Sequence, residues 1–253
     1  MRKKSKMNKW DKHQLLSECK NLVEFLPETH LFTIEKFWEM MSRNKEIILK
    51  PALGNGGKRI IKVSKVGGEK YEVHLQKSKN VIVDKNGLER LLQERIKERK
   101  FLIQYCIPLA KVNGNLIDFR YIVQRKHGDK TWVITARCGK VAKNGYVTTN
   151  VLNDGTVVTV EEALLNSNIY NLNLKKTLAA LDELALAASL CYTDKFKNQN
   201  IWGYDLAVDE CGDIWLIEAN AAPMVDVFLD SKSPFKSDAI TWYLDYNEKM
   251  RNK

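Results

Sequence analysis

Two apolar strands flanking Glu210-Cys211-Gly212-Asp213 carry acidic and amide side chains that a plain hydrophobic hairpin would not tolerate. The strands run over Asp205–Asp209 and Ile214–Glu218. A register symmetric about Cys211 and Gly212 sets Asp205 opposite Glu218, and the period of two puts Asn220 on the face of Glu218. Two facing carboxylates repel unless a cation lies between them. Hard oxygen donors of this kind suit Mg²⁺, which keeps several waters and also takes phosphate oxygens. The neighbours Leu206, Val208, Ile214, Leu216 and Ile217 are apolar, so the acids are costly there without a partner. A surface hairpin with solvated acids is the alternative. Glu218-Ala219-Asn220-Ala221-Ala222-Pro223 weighs against it, because a glutamate closing a buried strand is a demanding arrangement. Asp205, Glu218 and Asn220 are therefore the candidate metal ligands.

A second feature lies far upstream. Glu46-Ile47-Ile48-Leu49-Lys50-Pro51 reads as an apolar strand, followed by a loop with Gly54, Gly56 and Gly57 and a returning strand over 59–66. Glycines let backbone N–H groups turn toward an anion, and Lys50 adds a point charge. The P-loop pattern fails, since Arg59 follows Lys58 where Ser or Thr is required. A plain hairpin turn is the competing reading. Co-occurrence with the three metal candidates gives the loop its weight.

The remaining pattern mixes hairpins with helices, which makes the fold class α+β. Helices are expected over 15–25, ended by Pro27, over 34–43 behind a Thr33 cap, over 87–99 and over 174–192. Strands are expected over 71–76, 101–105, 119–124 and 132–136. Five scattered cysteines without a CxxC pair read as reduced thiols, and the four isolated histidines as surface or packing residues. No run reaches the roughly 18–20 apolar residues of a membrane span, and the basic start is not followed by a signal core. A cytoplasmic chain with no membrane role is expected. The net charge of +10 favours polyanionic partners. The mixed-sign run over 89–100 reads as the wet side of a helix, and no RNA-recognition motif or stacking platform is visible. Nucleic acid is thus a minor expectation.

Taken together, Ile47-Ile48-Leu49-Lys50-Pro51 with its glycine loop, Phe101–Ile107, Asp205–Asp209 and Trp215–Pro223 resemble the parts of an ATP-grasp enzyme. Lys9-Trp10, Leu26-Pro27-Glu28-Thr29, Asp118-Phe119-Arg120 and Thr149-Asn150, in this order, resemble the spore-coat-associated YheC/YheD-type subfamily. The resemblance runs from about residue 8 to 230. It implies two α+β subdomains gripping ATP: a minimal N-terminal helical segment over 1–45, a small lid subdomain over 46–105 and a large metal-bearing subdomain over 106–253.

It also implies a reaction, in which ATP phosphorylates a carboxylate and an amine or another nucleophile displaces the phosphate. Lys50 would contact phosphates, and Gly54, Asn55, Gly56 and Gly57 would close over them. Gln104, Tyr105, Cys106 and Ile107 would line adenine; Asp205, Glu218 and Asn220 would hold Mg²⁺. Arg120 and Arg137 are the candidates for stabilising the transferred phosphoryl group, with a structural ion pair as the alternative for each. Asn150 is a candidate for metal or phosphate binding, against a turn role, and Lys9 or Lys12 for a second phosphate cation, against a mobile tail. Two departures stand out. Gly203 occupies the place where some carboxylate–amine ligases carry arginine, and the long N-terminal domain of many ATP-grasp ligases is almost absent. The acceptor expected is a peptide, protein or acidic polymer. The alternatives are a phosphotransferase with the same grip and a non-catalytic, ATP-binding coat component; the resemblance also allows a spore-associated location.

Overall fold

The structure, a computed structural model, describes residues 7–54, 57, 59–143, 145–146 and 155–251. Helix α1 (Lys9–Ser17) begins at Asn8, whose side chain accepts from the Asp11 amide while Asp11 accepts from the Asn8 amide. This reciprocal cap fixes the start six residues before the one expected from apolar spacing. The helix ends at Ser17, and only a single 3₁₀ turn (Val23–Phe25) follows. The helical spacing persisted beyond Ser17 because Leu22, Phe25 and Leu26 pack from the loop into the same core as Leu16.

The chain then forms β1 (Thr29–Leu31), α2 (Ile34–Arg43), β2 (Glu46–Pro51), β3 (Ile61–Gly67), β4 (Lys70–Leu75), β5 (Ser78–Ile82), α3 (Lys85–Ile96) and β6 (Phe101–Tyr105). Thr33 caps α2 as expected, its hydroxyl accepting from the Lys36 amide at 3.1 Å. The strands build an antiparallel sheet in the order β1-β6-β2-β3-β4-β5. Phe37 and Met40 of α2 and Leu88 and Leu92 of α3 bury one of its faces together with Ile47 and Val63.

The second half forms β7 (Lys111–Val112), β8 (Asn115–Gln124), β9 (Val133–Val141), β10 (Thr156–Val158), α4 (Val160–Leu165), α5 (Leu174–Tyr192), β11 (Ile201–Val208), β12 (Ile214–Asn220), α6 (Asp226–Leu229) and α7 (Asp238–Arg251). Its antiparallel sheet has the order β10-β9-β8-β11-β12, with β7 paired to β8. Strand alternation divides the residues cleanly. Phe119, Tyr121 and Val123 of β8 and Trp202, Tyr204, Leu206 and Val208 of β11 enter the core under α5, whereas Ile122 and Cys138 meet Phe228 and Ile240 on the opposite side.

Residues 7–45 are shared between the two halves. Leu16 and Leu22 belong to the core of the second sheet, but β1 and α2 join the first. One expectation is corrected. Cys19 and Cys191 form a disulfide, 172 residues apart in sequence, while Cys106, Cys138 and Cys211 are free. So long a separation left no spacing signal; the pairing arises because the chain leaving α1 runs beside the C-terminal end of α5, with the two Cα atoms 6.4 Å apart.

Candidate active site

Between the two sheets lies a cleft of about 720 Å³. Its floor is the hairpin that the sequence singled out. Asp205 of β11 pairs with Glu218 of β12, and Gly203 with Asn220. A bulge next to Asp205 shifts the remaining pairs by one residue, so that Leu206 faces Leu216. The facing carboxylates are brought together with Asn220, which donates from Nδ2 to Asp205 Oδ2 at 3.2 Å.

The cations that compensate these acids come from three elements. Lys9 Nζ, at the first turn of α1, lies 2.6 and 2.5 Å from the two Glu218 oxygens. Lys140 Nζ of β9 bridges Asp118 at 2.7 Å and Asp205 at 2.9 Å. Arg120 Nη2 of β8 pairs with Asp205 at 3.0 Å. Burial alone would push the Asp205 carboxyl up; Arg120 and Lys140 outweigh it and hold the group at about 2. The same acids keep Arg120 and Lys140 above their ordinary values against the opposing pull of burial.

Lys50 is buried at the end of β2. Its Nζ donates to Gln104 Oε1 at 2.9 Å and reaches the Ile217 carbonyl oxygen at 3.4 Å. Gln104 in turn donates to the Thr29 hydroxyl at 2.7 Å. Burial lowers Lys50 to about 8, with Glu218 pulling the other way. Lys12 lies behind it and donates to the Ala219 carbonyl oxygen; burial lowers its pKa too. His13 is brought down to about 4 by burial and by Lys50.

Of the residues expected from sequence, Lys50, Gly57, Gln104, Tyr105, Cys106, Ile107, Arg120, Asp205, Glu218 and Asn220 line the cleft. Gly54 is not among its lining residues. Asn55, Gly56, Thr149 and Asn150 lie outside the described residues. The Tyr105 amide donates to the Glu28 carbonyl oxygen and thus faces β1. Arg137 is not brought to the cleft. It sits one register step away, opposite Tyr121, and its guanidinium pairs with Asp182 of α5 at 2.6 Å and Glu161 of α4 at 2.8 Å. The ion pairs form because odd-numbered residues of this part of β9 face α4 and α5.

Lys140 lies beyond the strand end expected at residue 136, since β9 continues to Val141. Carrying the strand on to pair Arg120 with Cys138 and Asp118 with Lys140 finds it. The place of Gly203 is also explained. A Cβ there would collide with the Pro223 ring and lie 3.1 Å from Arg120 Nη1, so the guanidinium of a neighbouring strand fills that space.

The donor set fits a hard divalent ion. Asp205 and Glu218 supply carboxylate oxygens, and the Asn220 amide stands beside them. Among the described residues no group of three or more His, Cys, Asp or Glu side chains gathers, so an ion here would draw further ligands from water and phosphate.

The sequence matches the family described as YheC/D like ATP-grasp over residues 2–250. The chain belongs to this family. It is 29% identical over 231 residues to the endospore coat-associated protein YheD of Bacillus subtilis (strain 168), covering 89% of the chain and 50% of that relative. The chain thus spans about half the length of the curated relative it matches. Solved structures place this YheC/D-like chain in the ATP-grasp fold. D-alanine–D-alanine ligase from Bacillus anthracis, complexed with ATP, superposes with a TM-score of 0.54 at 12% identity, over 97% of this chain and 66% of the other. The D-cycloserine synthetase DcsG gives 0.53 at 13%, over 96% and 70%. The ATP-grasp ligase PsnB, complexed with a phosphomimetic precursor variant, Mg and ADP, gives 0.53 at 14%, over 97% and 59%. At these identities the likeness is one of fold. No helix among the described residues is long and apolar enough to cross a membrane.

Proposed function

We propose that the chain is an ATP- and Mg²⁺-dependent ligase that activates a carboxylate as an acyl phosphate for attack by an amine or another nucleophile. The observation that carries this reading is the meeting, in one cleft of an ATP-grasp fold, of Lys50 and Lys9 with Arg120, Lys140 and the Asp205–Glu218–Asn220 group. Adenine would lie along Cys106 and Ile107, and the phosphates would run toward Lys50 and Lys9. Asp205, Glu218 and Asn220 would hold Mg²⁺, which neutralises charge on the phosphate oxygens when bound.

In this scheme a substrate carboxylate oxygen attacks the γ-phosphorus, and the bond from that phosphorus to the ADP oxygen breaks. Arg120 stands where charge develops on the transferred group, with its guanidinium fixed by Asp205 and by the bare Cα of Gly203. Lys140, locked between Asp118 and Asp205, keeps Asp205 ionised and both acids in place. The nucleophile then adds to the acyl carbon, phosphate leaves, and the nucleophile's proton passes to solvent.

For the acceptor we infer a peptide, protein or acidic polymer. Basic side chains outnumber acidic ones along the cleft wall, and the whole chain carries +10. The coat association of the YheD relative makes spore proteins and polymers the first to try. The test is ADP release from ATP and Mg²⁺ in the presence of candidate acceptors, with hydroxylamine added to trap acyl phosphate as a hydroxamate. Acceptor-dependent ADP and hydroxamate are expected, with a KM that rises strongly as salt goes from low to physiological. A stable phosphoester without hydroxamate overturns the ligase reading in favour of a kinase. Robust ligation of two free amino acids, insensitive to salt, overturns the acceptor class.

A further inference from the structure

Helix α1 bridges the two halves of the molecule at the inner end of the cleft. The Lys9 amide donates to the Ala52 carbonyl oxygen at 2.9 Å, just past β2, while the Lys9 side chain reaches Glu218 on β12. Lys12 reaches the Ala219 carbonyl oxygen. The helix that carries both lysines is weak by itself. It has nine residues, and Leu16 is its one buried apolar side chain. Isolated helices of this length are marginal in water, so its seat depends on what clamps it.

The clamps come from the C-terminal end of α5. Tyr192 donates its hydroxyl to the Lys12 carbonyl oxygen at 2.9 Å, and the adjacent Cys191 is bonded to Cys19, two residues past α1. Both cysteines are half-buried, so a small thiol can approach them. Their sulfurs also lie 3.7 and 3.4 Å from the Leu15 carbonyl oxygen, which gives the released thiols an acceptor. Each chemical state is thus accommodated locally, as a reversible site requires.

We propose that Cys19 and Cys191 form a redox site whose disulfide fastens the N-terminal helix, and with it Lys9 and Lys12, against the active-site hairpin. In closing, the two thiols lose two protons and two electrons to a disulfide oxidant such as glutathione disulfide, which becomes two glutathione thiols. In opening, a dithiol returns the two electrons and two protons and is itself oxidised to a disulfide. Reduction leaves only non-covalent contacts to hold the helix: the Lys9 amide on Ala52, Lys9 on Glu218, Lys12 on Ala219, the Tyr192 hydrogen bond and the burial of Leu16. Loss of the covalent tie loosens the lysines without unfolding either sheet. The effect on nucleotide rests on the ligase reading above; the fastening of the helix does not.

The experiment compares the full chain oxidised with glutathione disulfide and reduced with dithiothreitol. Thiol titration after denaturation should count three free thiols in the first and five in the second. Hydrogen–deuterium exchange without nucleotide should be about tenfold or more faster across 9–17 in the reduced protein, with α3 of the other sheet unchanged. Affinity for MgATP should fall by about fivefold or more on reduction, because a disordered lysine must be re-ordered on binding. Cys191→Ser and Cys19→Ser should both match the reduced protein and ignore dithiothreitol, whereas Cys211→Ser should respond as the unmodified chain does. Equal exchange across 9–17 in the two states, or five thiols after oxidation, overturns the proposal. A redox-responsive helix in a protein that binds no ATP upholds the fastening and sinks the nucleotide reading instead.

Discussion

Arg120 and Arg137 stand on neighbouring strands of the same sheet and have opposite fates. Arg137 faces the helices, and carboxylates from α4 and α5 close on it. Its charge serves the attachment of those helices to the sheet. Arg120 faces the cleft, where its partner Asp205 belongs to a cluster of strand-borne acids and cations lining an open space. One face answers the charge with carboxylates from α4 and α5; the other gathers charges around an open cleft. Position along a strand, odd or even, separates the two roles more sharply than residue type does.

The sharpest way to break this contrast is on the cleft face. Glu218→Gln keeps the shape and removes one charge from the facing pair. ATP turnover is expected to fall by about two orders of magnitude or more, with circular dichroism unchanged. Normal Mg²⁺-dependent turnover in the folded variant would remove the metal assignment. Next comes the matched pair. Arg120→Ala should lower turnover about a hundredfold, the scale of losing one positioned donor to a developing charge. Arg137→Ala should leave turnover within about threefold and cost about 1 kcal/mol of stability, because its ion pairs are partly exposed and screened. The opposite ranking in a kinetic and thermal-melt comparison would reverse the two faces.

The mildest probe is pH. Phosphate favours protonated Lys50, and burial has brought that lysine to about 8 in the nucleotide-free protein. ATP affinity should therefore be flat below pH 8 and weaken above it, by at most about tenfold per unit, as the free protein must take up a proton to bind. Lys50→Ala should abolish that slope and weaken ATP by about 1–3 kcal/mol at neutral pH, with adenosine little affected. An unchanged slope in the variant would assign the titration to another group.

Much of the site was legible because its residues sit where periodicity is strict. Counting outward symmetrically from Cys211 and Gly212 faces Asp205 with Glu218, and the pairing is found, but by another route. Next to the turn Val208 pairs with Ile214, a register that would set Asp205 against Ile217, and the bulge beside Asp205 moves it onto Glu218. Lys50 was marked by its strand end. What stayed hidden depends on contacts between distant segments. Lys140 needs the register of β8 against β9, and the pairing of Lys9, itself a candidate from sequence, with Glu218 needs the path that returns α1 to β12. The Cys19–Cys191 bond needs the docking of α1 beside α5. The four-residue α6 and the short β1, β7 and β10 are too brief to carry a period at all. The early end of α1 was masked because loop residues kept apolar spacing for a tertiary reason.

Gly203 gives the site a history that substitutions must respect. Its missing side chain is matched by the Pro223 ring on one side and by the Arg120 guanidinium on the other. An arginine placed at 203 in the present background meets both before it gains any use. Pro223 has to give way and Arg120 has to shift first, and the second of these changes disturbs one of the two cations that Asp205 now holds. The positive charge that β8 now presents to Asp205 therefore cannot be moved to β11 by one substitution alone.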